Sequence, residues 1–169
     1  MDQSDRQILI SLVRERSLAA LGTIVEGGPL VSMVLYASEP SLSCLYIHVS
    51  RIAQHTRGLL SQPRVSLLIS EPDRASRNPL TLARVSVQGL AGQLHEGLPE
   101  FRNARDLYLA VHPTAAINFQ LPDFLLLGVR PESARFIAGF GKIFDLDRAA
   151  WARLATTEPG TRTGLASQQ

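Results

Sequence analysis

Four side chains able to hold an anion lie within two helical turns of one another. Ser50, Arg51, His55 and Thr56 combine two hydroxyls, a guanidinium and an imidazole. The sequence predicts that a β-strand ends here and that a helix opens at Ser50, a favoured N-cap, and stops before Pro63. The first amides of a helix lack partners and its dipole is positive there, so the junction suits a phosphomonoester. The alternative is an ordinary capped helix with a solvated arginine.

The rest of the chain predicts a mainly β domain of α+β type with peripheral helices. Ser4-Asp5-Arg6-Gln7 resembles a capping box that starts an N-terminal helix ending near Arg16. Strands are expected at 18–25, 30–37, 42–49, 65–70, 80–94 (with a bulge at Gly89), 124–129 and 134–144. The last two strands flank an expected turn at 130–133. Further helices are expected at 99–111, followed by a short turn to Ala116, and at 148–155, where Asp147 is the N-cap and Trp151 packs.

Composition limits the class of protein. A chain of 169 residues with 45% hydrophobic content predicts one domain, 1–155, followed by a polar tail, 156–169. The arginines are scattered and the formal net charge is +2, which argues against a nucleic-acid partner. Asp2, Asp5 and Arg6 stand where a signal peptide would be apolar, and no apolar run is long enough to span a bilayer, so we expect a cytoplasmic protein without a membrane partner. The single cysteine, Cys44, is expected to pack as a small hydrophobe, and no metal site is predicted.

Three ordered motifs resemble a known family. They are Gly28-Pro29-Leu30-Val31-Ser32-Met33-Val34-Leu35-Tyr36, then Ser50-Arg51-Ile52-Ala53-Gln54-His55-Thr56-Arg57 with the following Gln62-Pro63-Arg64-Val65-Ser66-Leu67-Leu68, and finally Gly139-Phe140-Gly141-Lys142. Together they resemble the FMN-binding split β-barrels related to pyridoxamine 5′-phosphate oxidase, and more narrowly the haem-utilisation (HugZ-like) branch. The resemblance covers about residues 18–146.

The resemblance implies a six- to seven-stranded antiparallel split barrel that forms a homodimer with FMN held across the interface. By motif position, the implied cofactor-binding residues are Ser32, Met33, Val34, Leu35, Ser50, Arg51, His55, Thr56, Arg84 and Lys142. The strand at 32–35 would run along the flavin, and Arg84 lies where the oxidases place a glutamine that touches FMN, although a surface ion pair is an equal alternative for it. No catalytic residue is assigned.

Departures from the family pattern shape the expected function. The vitamin-B6 oxidases place basic residues where this chain has Ser32, Ala37 and Ile52, so pyridoxamine phosphate oxidation is not expected. The expectation is an FMN-binding, flavin-dependent oxidoreductase of unknown substrate. One alternative is a haem-binding or haem-degrading protein, which is weakened because none of the four histidines, His48, His55, His95 and His112, follows the Gly-Phe-Gly-Lys motif. The other is a non-catalytic dimeric module of the same fold.

Overall fold

The chain folds into one antiparallel sheet that closes into a barrel, with helices around it. The computed structural model describes residues 1–73 and 78–155, so the expected tail at 156–169 lies outside the described residues. The helices are α1 (Gln3–Glu15), α2 (Gln54–Ser61), α3 (Pro99–Val111) and α4 (Arg148–Ala152), with 3₁₀ segments at Pro79–Thr81 and Pro113–Gln120. The strands are β1 (Leu18–Val25), β2 (Gly28–Ser38), β3 (Leu45–Ser50), β4 (Arg64–Ser70), β5 (Arg84–Gln93), β6 (Phe124–Gly139) and β7 (Lys142–Asp147).

The sheet is a closed barrel with one added strand. Its seven antiparallel strands have the order β3-β2-β1-β4-β5-β6-β7. β3 also pairs with β6, from Leu45 opposite Val129 to Ser50 opposite Phe124, and this closes six strands into a ring. β7 extends the sheet beyond β6. This architecture confirms the predicted split barrel of six to seven strands.

Alternating apolar residues fill the barrel. Leu21, Ile47 and Phe136 come from three different strands and are fully buried. α1 covers one end of the barrel, where the buried Tyr36 hydroxyl donates to the carbonyl of Val13 at 2.9 Å. A second apolar cluster joins α3 to the outer face of β3 and β6. The barrel is therefore packed inside, and a ligand must bind on its outside or at an opening between strands.

Two N-terminal caps show what the local sequence pattern does and does not decide. The N-cap of α1 is Asp2, whose carboxylate accepts from the amide of Asp5 at 2.8 Å, so the capping box predicted at Ser4 is wrong. Asp147 does cap α4 as predicted, accepting from the amide of Ala150 at 2.7 Å. Both caps are aspartates that precede a helix, but at the N-terminus a serine two positions later also matches a capping pattern.

The predicted turn at 130–133 is wrong, because β6 runs without interruption from Phe124 to Gly139. Opposite this stretch the register of β5 and β6 shifts between Gln88, which pairs with Ser133, and Gly89, which pairs with Pro131, so the extra residue of the bulge is Glu132 on β6. A bulge thus occurs at the predicted position, but in the strand opposite Gly89. A Cβ on Gly89 would lie 2.4 Å from the carbonyl oxygen of Arg130. Proline lacks an N–H, and it is tolerated at such a bulge because the hydrogen-bond ladder is interrupted there. The chain reverses later, at 139–141, where Gly141 has a φ of 80°.

The C-terminal region confirms the expected role of the only tryptophan. Trp151 is 3% exposed, and its indole N–H donates to the carbonyl of Leu42 at 2.9 Å. Within residues 1–73 and 78–155, no helix combines the length and apolarity that crossing a membrane requires.

Candidate cofactor-binding site

The barrel has an open seam between β2 and β3. β2 pairs with β1 from Gly28 to Leu35, but it pairs with β3 only through Tyr36–Ser38. The amide of Tyr36 donates to Ser17 on the β1 side at 2.9 Å. Since backbone groups alternate in direction along a strand, Val31, Met33 and Leu35 direct their N–H and C=O groups toward the seam. A ligand placed there can form hydrogen bonds with main-chain groups that no neighbouring strand uses.

The predicted anion cradle lies beside this seam, but its helix begins later than predicted. α2 starts at Gln54, and its N-cap Ala53 provides no side-chain hydrogen bond, so Ser50 is not the N-cap. Residues 51–53 form a turn in which the amide of Ala53 and the hydroxyl of Thr56 both donate to the carbonyl of Ser50, at 3.1 and 2.7 Å. The start of α2 therefore lacks a side-chain cap. The amide of Thr56 donates to the Ala53 carbonyl at 3.1 Å, which leaves the amides of Gln54 and His55 to solvent or a ligand.

Asp123, which sequence reasoning missed, fixes the end of β3. The Ser50 hydroxyl donates to Asp123 Oδ2 at 2.6 Å, and the amide of Arg51 donates to the Asp123 carbonyl at 2.6 Å. Asp123 lies 73 residues from Ser50 and immediately before β6, so no local pattern links the two. Its carboxylate orients the turn and places a negative charge next to the predicted cradle.

The four cradle residues contribute unequally. Arg51 is exposed, and its guanidinium has no hydrogen bond or ion pair with the described residues. Thr56 is fully buried, with its hydroxyl committed to the Ser50 carbonyl. His55 is half-buried, and this burial lowers its pKa. Arg51 and the main chain of the turn are thus the groups best able to hold an anion.

A glycine brings α2 against the barrel. A Cβ on Gly58 would lie 2.8 Å from the carbonyl oxygen of Ile24 and 3.0 Å from a methyl group of Val25. Only a residue without a side chain allows this approach, which sets the position of α2 at the end of β1.

The outer face of β1, β2 and β4 forms a shallow apolar groove next to the seam. Val31 and Met33 of β2 are both 70% exposed, and Leu68 stands on β4 on the other side. Between these side chains β1 carries only small residues. Ala20 pairs with Met33 and with Leu68, and Gly22 is the next residue of β1 on the same face. Small residues in the centre and larger apolar residues at the sides leave space for a flat group.

A cavity of about 440 Å³ lies at the end of this groove where β1 begins, and its charged lining residues are Arg16, Glu15 and Glu71. Met33, Leu68 and Leu18 line it together with Arg16. The Nε of Arg16 is buried and has no hydrogen-bond partner among the described residues. Sequence reasoning missed Arg16, which lies between α1 and β1 outside every motif.

The predicted site residues on β2 divide between the two faces of the barrel wall. Met33 and Leu35 face the groove, whereas Ser32 and Val34 point into the barrel, where the Ser32 hydroxyl is buried without a partner among the described residues. Their roles as cofactor residues stay predictions.

The two predicted basic residues outside the seam have protein partners. Arg84 Nη1 donates to the carbonyl of Leu82 at 3.1 Å. Lys142 Nζ donates to Asp5 Oδ1 at 2.9 Å, and this hydrogen bond raises the pKa of Lys142. The structure thus places Lys142 at the N-terminal helix. A cofactor role for either residue stays a prediction.

Two of the four histidines, His48 and His112, pack against aromatic side chains beneath α3. The His48 ring stacks on Phe119 with centroids 3.8 Å apart, and its Nδ1 is buried without a partner in the described part of the chain. Burial lowers the pKa of His48 to about 4, so the ring is neutral at physiological pH. His112 is buried, with Nε2 2.9 Å from the Tyr36 carbonyl. His95 is exposed.

Comparison with known proteins adds haem proteins to this picture. The chain is 34% identical over 120 residues to the chloroplastic non-canonical haem oxygenase HOZ of Arabidopsis thaliana, covering 70% of this chain and 35% of that protein. It is 24% identical over 142 residues to the haem oxygenase HutZ of Vibrio cholerae, covering 79% and 76%. The chain thus spans about a third of the length of the Arabidopsis relative. No protein-family model matches it.

Solved structures share the fold. A haem-binding protein from Mycobacterium smegmatis superposes with a TM-score of 0.81 at 27% identity, covering 90% of this chain and 62% of the other. A Clostridium acetobutylicum protein of the pyridoxinephosphate oxidase family superposes with a TM-score of 0.67 at 14% identity, covering 89% and 99%. These findings confirm the resemblance to the split β-barrels and to their haem-utilisation branch.

Proposed function

We propose that this chain, a split-barrel protein related to the HutZ-like haem oxygenases, binds FMN along the seam and groove of β1 and β2 and acts as a flavin-dependent oxidoreductase. One observation carries the proposal: an unpaired guanidinium and an uncapped helix start lie beside a strand edge with free main-chain groups and a flat apolar face. Each part matches a different part of FMN, which has an anionic phosphate, a polar ring edge and a planar body.

The phosphate fits the turn between β3 and α2. Arg51 offers a forked donor without a competing partner among the described residues, and the first amides of α2 add the positive end of the helix dipole. While its proton is donated to Asp123, the Ser50 hydroxyl has no hydrogen left to give to a phosphate, so its side chain does not hold the anion. Arg51 and main-chain amides therefore carry the phosphate binding in this proposal, and Thr56 supports the turn.

The ring fits the groove. Met33, Leu18 and Leu68 supply apolar contact to the ring, and the small residues Ala20 and Gly22 leave room for it. Arg16 offers an unpaired Nε–H at the end of the groove where β1 begins. When bound, FMN supplies hydride and single-electron transfer. The side chains of this site bind and orient the ring and exclude water from one of its faces. The proposal assigns no proton transfer to any of them.

A second copy of the chain is the proposed cover for this face. Val31, Met33 and Leu35 form an apolar stripe whose members are 45–70% exposed, and Leu18 and Leu68 continue it. Burying one such side chain is worth about 1.5–3 kcal/mol. Stacking two of these faces would remove the stripe from water and enclose a ring between the subunits, which supports a homodimer with the cofactor at its interface.

Haem binding is the second candidate. The relatives at 34% and 27% identity are a haem oxygenase and a haem-binding protein, and this observation favours a tetrapyrrole. The same groove is flat and apolar, and Arg51 and Arg16 are cations suited to propionate groups. His48 and His55 have lowered pKa values, and a neutral imidazole is the form that ligates iron.

The visible spectrum of the purified protein and titrations with FMN and with haemin test the proposal. Flavin bands with saturable FMN binding support it, and a Soret band without flavin binding favours haem. If neither cofactor binds, the proposal fails and the third alternative, a non-catalytic module of the same fold, is favoured. Arg51→Gln should weaken FMN binding about 10- to 150-fold, since a charge-assisted hydrogen bond contributes about 1.5–3 kcal/mol.

The matched control is Arg105→Gln. Arg105 is an exposed arginine of α3 that pairs with its neighbour Asp106, so its loss should leave FMN affinity unchanged. Equal affinities for the wild type and Arg51→Gln would refute the assigned phosphate site.

A further inference from the structure

A second cavity lies on the opposite wall of the barrel. Its volume is about 610 Å³, and β3, β5 and β6 form its floor, with α4 at its side. In the ring of six strands these are the strands that close the barrel, whereas the seam and groove lie on β1, β2 and β4. Ligand sites typically measure about 300–1,000 Å³. This cavity has the right size for a small organic molecule and is separate from the proposed cofactor site.

Two glycines make the floor of the cavity flat. Gly92 of β5 and Gly128 of β6 are direct cross-strand partners, and Tyr46 of β3 is the partner of Gly128 on the other side. Gly128 has a packing reason to be glycine, because a Cβ there would lie 2.7 Å from Cys44 Sγ. Gly92 has none: its φ is not positive, and a Cβ would meet only Arg130 Nη2, at 3.8 Å.

Glycine in the interior of a strand weakens the strand and often marks the close approach of a ligand. The space above Gly92 is such an approach, since a side chain at this position would project into the cavity. A bound molecule that contacts the main chain there would explain why position 92 is glycine, since neither packing nor a turn requires it.

The charged groups around the cavity favour an anion. Arg130 and Arg148 line it, and neither forms an ion pair or a side-chain hydrogen bond within residues 1–73 and 78–155. Glu100 is the single acidic lining residue among those described. Burial raises the pKa of Cys44 and of Tyr46 to about 12, so both are neutral and do not oppose an anion.

The other lining residues are largely apolar. Trp151 borders the cavity with its indole N–H already donated to Leu42, so it offers only carbon surface. Leu94 and Pro131 add further apolar wall. We propose that this cavity is a second binding site, which takes a flat organic carboxylate with its anionic group at Arg130 and Arg148 and its apolar body over Gly92.

The only tryptophan of the chain is a built-in reporter for this site. The probe is 4-nitrobenzoate, a flat carboxylate that quenches indole fluorescence, and its uncharged control is 4-nitrobenzyl alcohol. The full-length protein should show saturable quenching of Trp151 by the acid, with binding at least about tenfold weaker for the alcohol, because the alcohol lacks the charge-assisted contact. Absence of saturable quenching by the acid would overturn the proposal.

Three variants locate the binding. Gly92→Leu should occupy the floor of the cavity, where the flat body is proposed to lie, and should weaken binding of the acid strongly. Arg130→Gln should weaken binding of the acid about tenfold or more. Arg57→Gln, an exposed arginine of α2 away from the cavity, should bind as the wild type does. Far-ultraviolet circular dichroism and the emission maximum of Trp151 verify that each variant is folded. Unchanged affinity in either folded cavity variant would place the probe elsewhere and refute the site.

Discussion

Replacing Asp123 with asparagine separates the two effects of its carboxylate. The amide that Asp123→Asn introduces keeps the shape of the side chain and an oxygen able to accept from the Ser50 hydroxyl, which lies 2.6 Å from Asp123 Oδ2, and the main-chain bond of Arg51 stays intact. A hydrogen bond to a charged group contributes about 1.5–3 kcal/mol and a neutral one about 0.5–1.5 kcal/mol. The loss is therefore about 1–1.5 kcal/mol. For a domain of this size, this lowers Tm by roughly 2–6 °C.

The same change should act on the proposed anion site in the opposite direction. Asp123 places a negative charge beside the cradle, and its removal lowers the repulsion felt by a phosphate. Asp123→Asn should therefore unfold at a lower temperature in the absence of ligand and yet bind FMN more tightly. Differential scanning calorimetry and a fluorescence titration with FMN measure the two quantities.

The matched control is Asp106→Asn on α3, where the carboxylate is 67% exposed and the change in stability should stay below about 1 kcal/mol. A variant at Asp123 with unchanged Tm would mean that the charged hydrogen bond contributes nothing. Affinity that falls together with stability would refute the repulsion and leave Asp123 as a purely supporting residue.

Three further predictions concern other parts of the barrel. Met33→Glu should convert the proposed dimer to a monomer in light-scattering measurements, because it places a charge in the apolar stripe, whereas Phe140→Glu at an exposed turn should not. Lys142→Met should lower Tm, because it leaves the buried Asp5 carboxylate without its cation, and a loss of FMN affinity in the same variant would support the predicted cofactor role of Lys142. As the pH falls from 6.5 to about 4, the unfolded chain binds a proton at His48 and the folded chain does not, which lowers the stability of the folded state. His48→Phe removes this effect, so its Tm should fall less over this pH range than that of the wild type.

The strands were predictable wherever local alternation decides them. β1 has the predicted bounds, Leu18–Val25, because it alternates between core and surface. The turn expected at 130–133 failed because Arg-Pro-Glu-Ser is a favourable turn sequence by composition alone. What decides the conformation there is the bulge opposite Gly89, about forty positions away, where a proline does no harm. Long-range pairing overrode a local preference.

The candidate site divides in the same way. The end of the strand before the cradle was predicted to within one residue, at 49 instead of Ser50, because it is marked by local alternation. Asp123 and Arg16 belong to no motif, and only the closure of β3 onto β6 and the packing of α1 bring them to the seam. The start of α2 was predicted too early because serine is a good N-cap in isolation. Here Ser50 Oγ accepts from the amide of Ile52 at 3.3 Å within the turn at 51–53, and the helix begins only after this turn, at Gln54.

The seam itself explains why a ligand or partner should bind on this side. A barrel removes sheet edges by closing, yet β2 pairs with β3 only through Tyr36–Ser38, so the main chain at Val31 and Met33 has an unpaired edge next to an exposed apolar stripe. Apolar surface is unfavourable to leave in water, and an exposed strand edge is a template for pairing with another molecule. A planar ligand between two subunits would cover the apolar stripe and give hydrogen-bond partners to the main-chain groups that it removes from water. Cofactor retention and dimerisation should therefore be linked, and the FMN affinity of the unmodified protein should fall as dilution converts the proposed dimer to monomer. Full affinity in the diluted monomer would show that one subunit holds the cofactor without the other.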